Sequence, residues 1–243
     1  MAVNTQEERI DIPSLPSAIT VRRQILFSAL ATAACLFGGL LVAFTAAIAV
    51  SNMPMHIPNQ TLNFISLVLL ISILFIAGAA WGFAVAKIFS TANKRRMIWA
   101  GALTFSPALL LAGLTLGALE RAIVERGQGP DLPVHIVFTI LFVPAAFFVA
   151  GAGGLALGLA ERNLRLGLRL ATWGGVAAAL GFLLVDVSMD ALGWRVGAPG
   201  AAERATMLTV MMTGNLAAAL AGGGILGYQL SRYYQRNKVD LVR

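Results

Sequence analysis

Charge is what this chain has least of. Only 12% of its 243 residues are Asp, Glu, Lys or Arg, against about 25% in a soluble domain. That scarcity, with long stretches holding no charge at all, excludes a water-soluble fold and points to helices that cross a bilayer. Cysteine is nearly absent. Cys35 is the single one, so no intramolecular disulfide can form and thiols say nothing about redox compartment. The patterns that carry catalysis are missing too. There is no glycine-rich phosphate loop, no HExxH and no GxSxG, and Ser106-Pro107 has no histidine at its depth to activate it. No enzymatic activity and no cofactor are therefore expected. No acid falls at the predicted midplane of an apolar run, which argues against a proton-coupled carrier of the usual kind.

What the chain does have is hydrophobic length. The residues are 58% hydrophobic, and six apolar runs are predicted as helices: Gln24–Val50, Leu62–Phe89, Met97–Leu119, Val134–Ala160, Leu168–Ala191 and Ala205–Leu230. Each exceeds the roughly 20 residues that cross a hydrocarbon core about 30 Å thick, so some tilt is expected. Pro54 and Pro58 break the chain after the first run, and the first run is far longer than the roughly 7–15 apolar residues of a secretory signal. The expected fold class is an all-α integral membrane protein with six transmembrane helices. Its organisation is a polar tail over 1–22, a helical bundle over 23–232 and a basic tail over 233–243.

The cations sit at the ends of these runs. The formal net charge is +7, which in a soluble protein would suggest nucleic acid; here the positions of the cations suggest orientation instead. Three Lys or Arg lie before the first run, four at the turn from the second to the third (Lys87, Lys94, Arg95, Arg96), three at the turn from the fourth to the fifth (Arg162, Arg165, Arg169) and four after the sixth. These fourteen share one side, against Arg121, Arg126, Arg195 and Arg204 on the other. The bias predicts a plasma (cell inner) membrane protein with both termini in the cytoplasm. The run Lys94-Arg95-Arg96 belongs to this pattern, and orientation accounts for it. The bilayer is the expected partner, with other membrane subunits or further copies of the chain, and no nucleic acid.

A period runs through the sequence. Arg23, Arg96 and Arg169 lie 73 residues apart, as do the Ala-Gly pairs beginning at Ala77 and Ala150, with Ala221 opening a third 71 residues on. Three repeated two-helix hairpins would produce that spacing. The even-numbered runs carry small residues at helical spacing: Gly78 and Gly82, then Gly151, Gly154 and Gly158, then Gly223 and Gly227. Glycines on one face let helix backbones approach closely, as a helix–helix seam requires. Pro107 and Pro144 fall inside the third and fourth runs, where each removes a backbone hydrogen bond and favours a kink.

Two acids are the polar candidates. Asp186 and Asp190 are four apart and share a helical face about one turn from the outer boundary. Thr209 and Thr213 of the sixth run are expected at a similar depth, within reach of Asp186. Soft ligands gather on the outer side, Met53-x-Met55-His56 being the sharpest pattern; without a cysteine or second nearby histidine it is a weak Cu(I) candidate, and no metal is assigned. Two functions follow. The first is a non-catalytic structural or accessory subunit that packs on partners through glycine faces. The second is a small-solute or ion transporter or channel, with a path near Asp186 and Asp190. An exposed glycine face around a dry core favours the first, and a lone monomer with a polar cavity favours the second.

Overall fold

The computed structural model describes residues 18–51, 59–105, 107–108, 134–191 and 201–240, and every regular element among them is helical. The helices are α1 (Ala18–Ser51), α2 (Asn59–Ile88), α3 (94–105), α4 (Val134–Ala160), α5 (Leu164–Ala191) and α6 (Ala201–Asp240). Five of them, all but α3, are long and apolar enough to cross a membrane. The shortest of these five, α4, has 27 residues, or roughly 40 Å at 1.5 Å per residue. In lipid the helix is the form that satisfies every backbone N–H and C=O within one segment. The outer surface agrees: Phe148 and Leu184 are each 69% exposed, which costs little only where hydrocarbon replaces water. The structure describes a multi-pass helical bundle; of the third predicted run, residues 97–105 and 107–108 are described and the remainder lies outside the described residues.

Every described helix but α4 starts before its predicted run, and α6 also ends later; three of these ends are instructive. α1 begins at Ala18, so the last residues of the predicted N-terminal tail are helical. α5 begins at Leu164, where Asn163 caps it: the Asn163 side-chain oxygen accepts the Leu166 N–H at 2.9 Å. α6 runs on to Asp240 through most of the predicted basic tail. No Pro or Gly interrupts Ser231–Asp240, and Tyr233 and Tyr234 pack against the buried core, which rewards the extra turns.

α1 packs on α2, α2 on α3, α4 on α5 and α5 on α6, and α6 returns to lie beside α1. The turns α2–α3 and α4–α5 are built alike. Ser90 and Arg162 take left-handed backbone conformations, with φ of 49° and 55°. The Ser90 N–H bonds the Lys87 carbonyl and the Thr91 N–H bonds the Ala86 carbonyl, and Arg162 and Asn163 repeat this on Leu159 and Gly158. This three-back, five-back pattern is the Schellman end of a helix. It turns each hairpin in a few residues and brings both turns, with the lower part of α6, to one end of the bundle. The main core lies just above that end, built from Trp81, Val85, Met97, Leu157, Leu170 and Leu230 among others. Cations crowd here, at positions 87, 94–96, 162, 165, 169, 232 and 236, so it is called the basic end below.

Candidate functional site

Three layers stack along the axis of the bundle. The lowest is a polar clasp at the basic end. Glu161, in the α4–α5 turn, accepts hydrogen bonds at Oε1 from the Thr91 hydroxyl (2.7 Å) and the Tyr234 hydroxyl (2.6 Å). Its Oε2 accepts from the Asn93 amide at 3.3 Å. One carboxyl group thus ties both hairpin turns to α6. Thr91 also accepts the Asn93 N–H at 3.1 Å, and the Tyr234 ring stacks on Phe89 with centroids 5.7 Å apart.

The second layer is the packed core, and Trp81 stands at its top. Its indole is buried, tilted against the Phe105 ring at 5.3 Å. The indole N–H donates to Thr32 Oγ1 at 2.9 Å, and the Thr32 hydroxyl donates to the Ser28 carbonyl at 2.8 Å. The Ser28 hydroxyl donates to the Gly223 carbonyl at 2.9 Å. A buried indole N–H without a partner would cost about 1–3 kcal/mol, and this relay satisfies it while tying α2 to α1 and α1 to α6.

Above Trp81 the packing opens along the axis, while Ala178, Phe182 and Ala218 form a second, smaller core beside it. A cavity of about 230 Å³ lies on the axis, with a wall to which all six helices contribute. Its floor is Trp81, Leu226 and Gly153, and its wall rises past Ala146 and Ala219 to Phe142 and Met211. Phe142 stacks flat on Phe182 of α5, with centroids 5.7 Å apart and an interplanar angle of 7°. Among the described residues, Thr32 and Asn215 are the polar side chains in the wall besides the Trp81 indole, and the Asn215 amide nitrogen already donates to the Met211 carbonyl at 2.9 Å. The cavity is apolar, whereas the sequence reading asked for a polar one as the mark of transport.

The predicted glycines are all buried and all face other helices of the same chain. Gly78 and Gly82 meet α3, Gly151, Gly154 and Gly158 meet α5, and Gly223 and Gly227 meet α1. Asp186 is 9% exposed, and its Oδ2 accepts a hydrogen bond from the Thr139 hydroxyl of α4. The sequence reading looked to α6 for that partner. Thr213 instead turns its hydroxyl to the Thr209 carbonyl of its own helix at 2.6 Å, as membrane threonines commonly do. Asp186 is not part of the cavity wall; it closes the α4–α5 interface one turn beyond Phe182. Asp190 lies in the last turn of α5, with its side chain outside what is described. Pro144 sits exposed inside α4 without ending it, and Pro107 is helical and exposed. Met53, Met55 and His56 lie outside the described residues, among which no cluster of three His, Cys, Asp or Glu could hold a metal.

Sequence reasoning missed Glu161, Trp81 and Ser28. Trp81 left a signal, a tryptophan between small residues in the run Ala77–Gly82. Glu161 left none, because Glu-Arg at the end of an apolar run reads as an interfacial charge pair. Comparison with protein-family models, with curated proteins and with solved structures finds no match to this chain.

Proposed function

We propose that this chain is a transporter of the cell's inner (plasma) membrane that moves a small apolar or amphipathic solute through the centre of a six-helix ring. The observation that carries the reading is the axial cavity above Trp81, walled by every helix. An empty space inside a bundle forfeits dispersion contacts, and a purely structural subunit gains nothing from one at its axis. The accessory-subunit reading rested on a glycine face free to meet a partner, and the seven glycines pack against helices of their own chain. The apolar wall disfavours an ion, which would leave its hydration shell with few polar atoms to replace it. The volume lies below the roughly 300–1,000 Å³ typical of pockets for drug-sized ligands, so a single ring or a short acyl or prenyl segment suits it.

The count of cations supports cytoplasmic termini and puts the basic end inside. The solute then reaches the cavity from the outer side, and the packed core with the Glu161 clasp acts as the closed inner gate. The third apolar run completes six spans. Three features support descent from a repeated hairpin: the 73-residue spacing of Arg23, Arg96 and Arg169, the two alike turns, and the glycine seams that join α2 to α3, α4 to α5 and α6 to α1.

The test uses Trp81 as reporter. Replacing Trp99, Trp173 and Trp194 by Phe leaves one indole, at the cavity floor. Brominated short-chain fatty acids, prenols and indole derivatives are then titrated against the protein in detergent, and uptake of those that bind is followed in liposomes. Saturable quenching that disappears in Ala146→Phe, at undiminished thermal stability, is the expected result. Quenching that never saturates, or that Ala146→Phe leaves unchanged, assigns the signal to probe in the surrounding detergent and sinks the proposal.

A further inference from the structure

A second cavity lies at the basic end, on the outside of the bundle between the start of α5 and the lower part of α6. Its volume is about 210 Å³, and its wall includes Arg165, Arg169, Arg232, Arg236, Gln229 and Tyr233. Four arginines, all exposed, contribute to its wall. The two acids whose side chains are described, Glu161 and Asp186, are engaged elsewhere, by Thr91, Asn93 and Tyr234 and by Thr139. Like charges gathered without a counter-charge repel one another, so four arginines facing one space favour an anion between them. Gln229 points the same way. It is 8% exposed, it lines the cavity, and among the described residues its amide has no hydrogen-bond partner. No buried side-chain polar atom among the described residues lacks a partner, so the Gln229 amide reaches the open space of the cavity, where it can bond a ligand oxygen. Asn163, the cap of α5, also lines the wall, so the positive end of the α5 dipole adds to the field.

We infer that this cavity binds a phosphate-bearing anion, presented by an anionic phospholipid of the leaflet at the basic end. Guanidinium forks match phosphate oxygens in pairs. The position selects a lipid as the source. The cavity lies at the ends of two apolar spans, Leu164–Met189 and Thr209–Asn237, where headgroups lie. Leu164 and Leu168, which flank Arg165 and precede Arg169 on α5, are 57% and 54% exposed and offer apolar surface to the acyl chains. Arg232 is held over the Tyr228 ring, 4.9 Å from its centroid, so it is already placed at the edge of the site. Basic pockets between membrane helices on the cytoplasmic side are a known physical form of lipid-headgroup recognition. The inference does not depend on what the axial cavity carries.

The full chain in neutral detergent is titrated with phosphatidylglycerol, with phosphatidylcholine and with inorganic phosphate, and the melting temperature is followed. Phosphatidylglycerol should raise it by several degrees at saturation, with phosphatidylcholine and millimolar phosphate inert. At roughly a five-fold loss per cation, Arg169→Gln with Arg232→Gln should weaken the response about 30-fold. The control pair Lys94→Gln with Arg95→Gln, which removes equal charge at the same end, should keep it. Equal losses in both pairs would reduce the effect to diffuse surface charge and overturn the site. A response to phosphatidylcholine would overturn phosphate selectivity, since its phosphate is masked by choline. A response to inorganic phosphate alone would overturn the lipid as its source. Native mass spectrometry, which needs no melting transition, should find one anionic lipid retained by the parent and lost from the Arg169–Arg232 pair.

Discussion

At the scale of single residues, no buried side-chain polar atom among the described residues lacks a hydrogen-bond partner. Asp186 illustrates what this means for substitution. Its carboxyl group accepts from Thr139 across the α4–α5 interface, and the two sides of that bond are not equivalent. Removing the acid leaves a threonine, whose hydroxyl can turn to the carbonyl four residues back in its own helix. Removing the hydroxyl leaves a buried carboxyl group that no longer receives that bond, at a cost of about 1–3 kcal/mol. Asp186→Leu should therefore cost under about 1 kcal/mol, while Thr139→Val costs more, and Asp186→Asn stays near the parent. Melting in detergent checks the order. A larger loss in Asp186→Leu than in Thr139→Val would mean that Asp186 serves more than this interface. The acid was legible in the sequence as a rare charge near the end of an apolar run. Its partner was not, because depth alone cannot say whether α4 or α6 stands beside α5.

At the scale of helices, the seams decide stability, and they are not uniform along their length. A methyl group at Gly154 would lie 2.5 Å from the Leu170 backbone carbon, so even alanine forces α4 and α5 apart. At Gly151 the nearest atom would be the Ala171 carbonyl oxygen at 3.4 Å, an ordinary contact that small adjustment accommodates. Gly38 of α1 has nothing within 4 Å of that position. Gly154→Ala should therefore destabilise by about 1–3 kcal/mol through overpacking. Gly151→Ala should be close to neutral, and Gly38→Ala should stabilise by about 0.5–1 kcal/mol through helix propensity. Thermal unfolding of the three variants in one detergent tests the ranking; Gly154→Ala at parental stability would mean that the seam opens without cost. The sequence identified these glycine faces because helical spacing is local. It could not rank them, since the ranking depends on which backbone atom of a helix met later in the chain faces each one. The helix ends followed the same rule. α4 begins and ends where its apolar run does, whereas α6 outruns its apolar stretch because Tyr233 and Tyr234 find the core.

At the scale of the molecule, the open question is whether the basic end moves. Glu161 joins groups 68, 70 and 73 residues away in sequence, which is why no local pattern announced it. A static clasp and a gate both require its three hydrogen bonds, so loss of stability alone cannot separate them. Glu161→Ala removes every acceptor and should cost about 2–3 kcal/mol, given roughly 1.5–3 kcal/mol for a single bond to a charged group and partial replacement by water at this half-buried site. Glu161→Gln keeps one oxygen but turns a donor toward the Asn93 amide, and should cost less. What separates the readings is access to the space beneath Trp81. A cysteine replaces Leu157, which is buried in the core layer, in a chain whose Cys35 is changed to Ser. A membrane-impermeant thiol reagent is then applied from the basic side of sealed vesicles. In a static bundle the reagent reacts slowly, and Glu161→Ala speeds it only as much as global unfolding rises. In a gated bundle Glu161→Ala exposes position 157 while the protein stays folded, because removing the clasp raises the population of the inward-open state and a ligand of the axial cavity shifts it again. Fast, ligand-sensitive labelling at unchanged helical content is the expected outcome. Labelling that tracks unfolding alone, with or without ligand, would reduce Glu161 to a structural tie and take the moving gate out of the proposed mechanism.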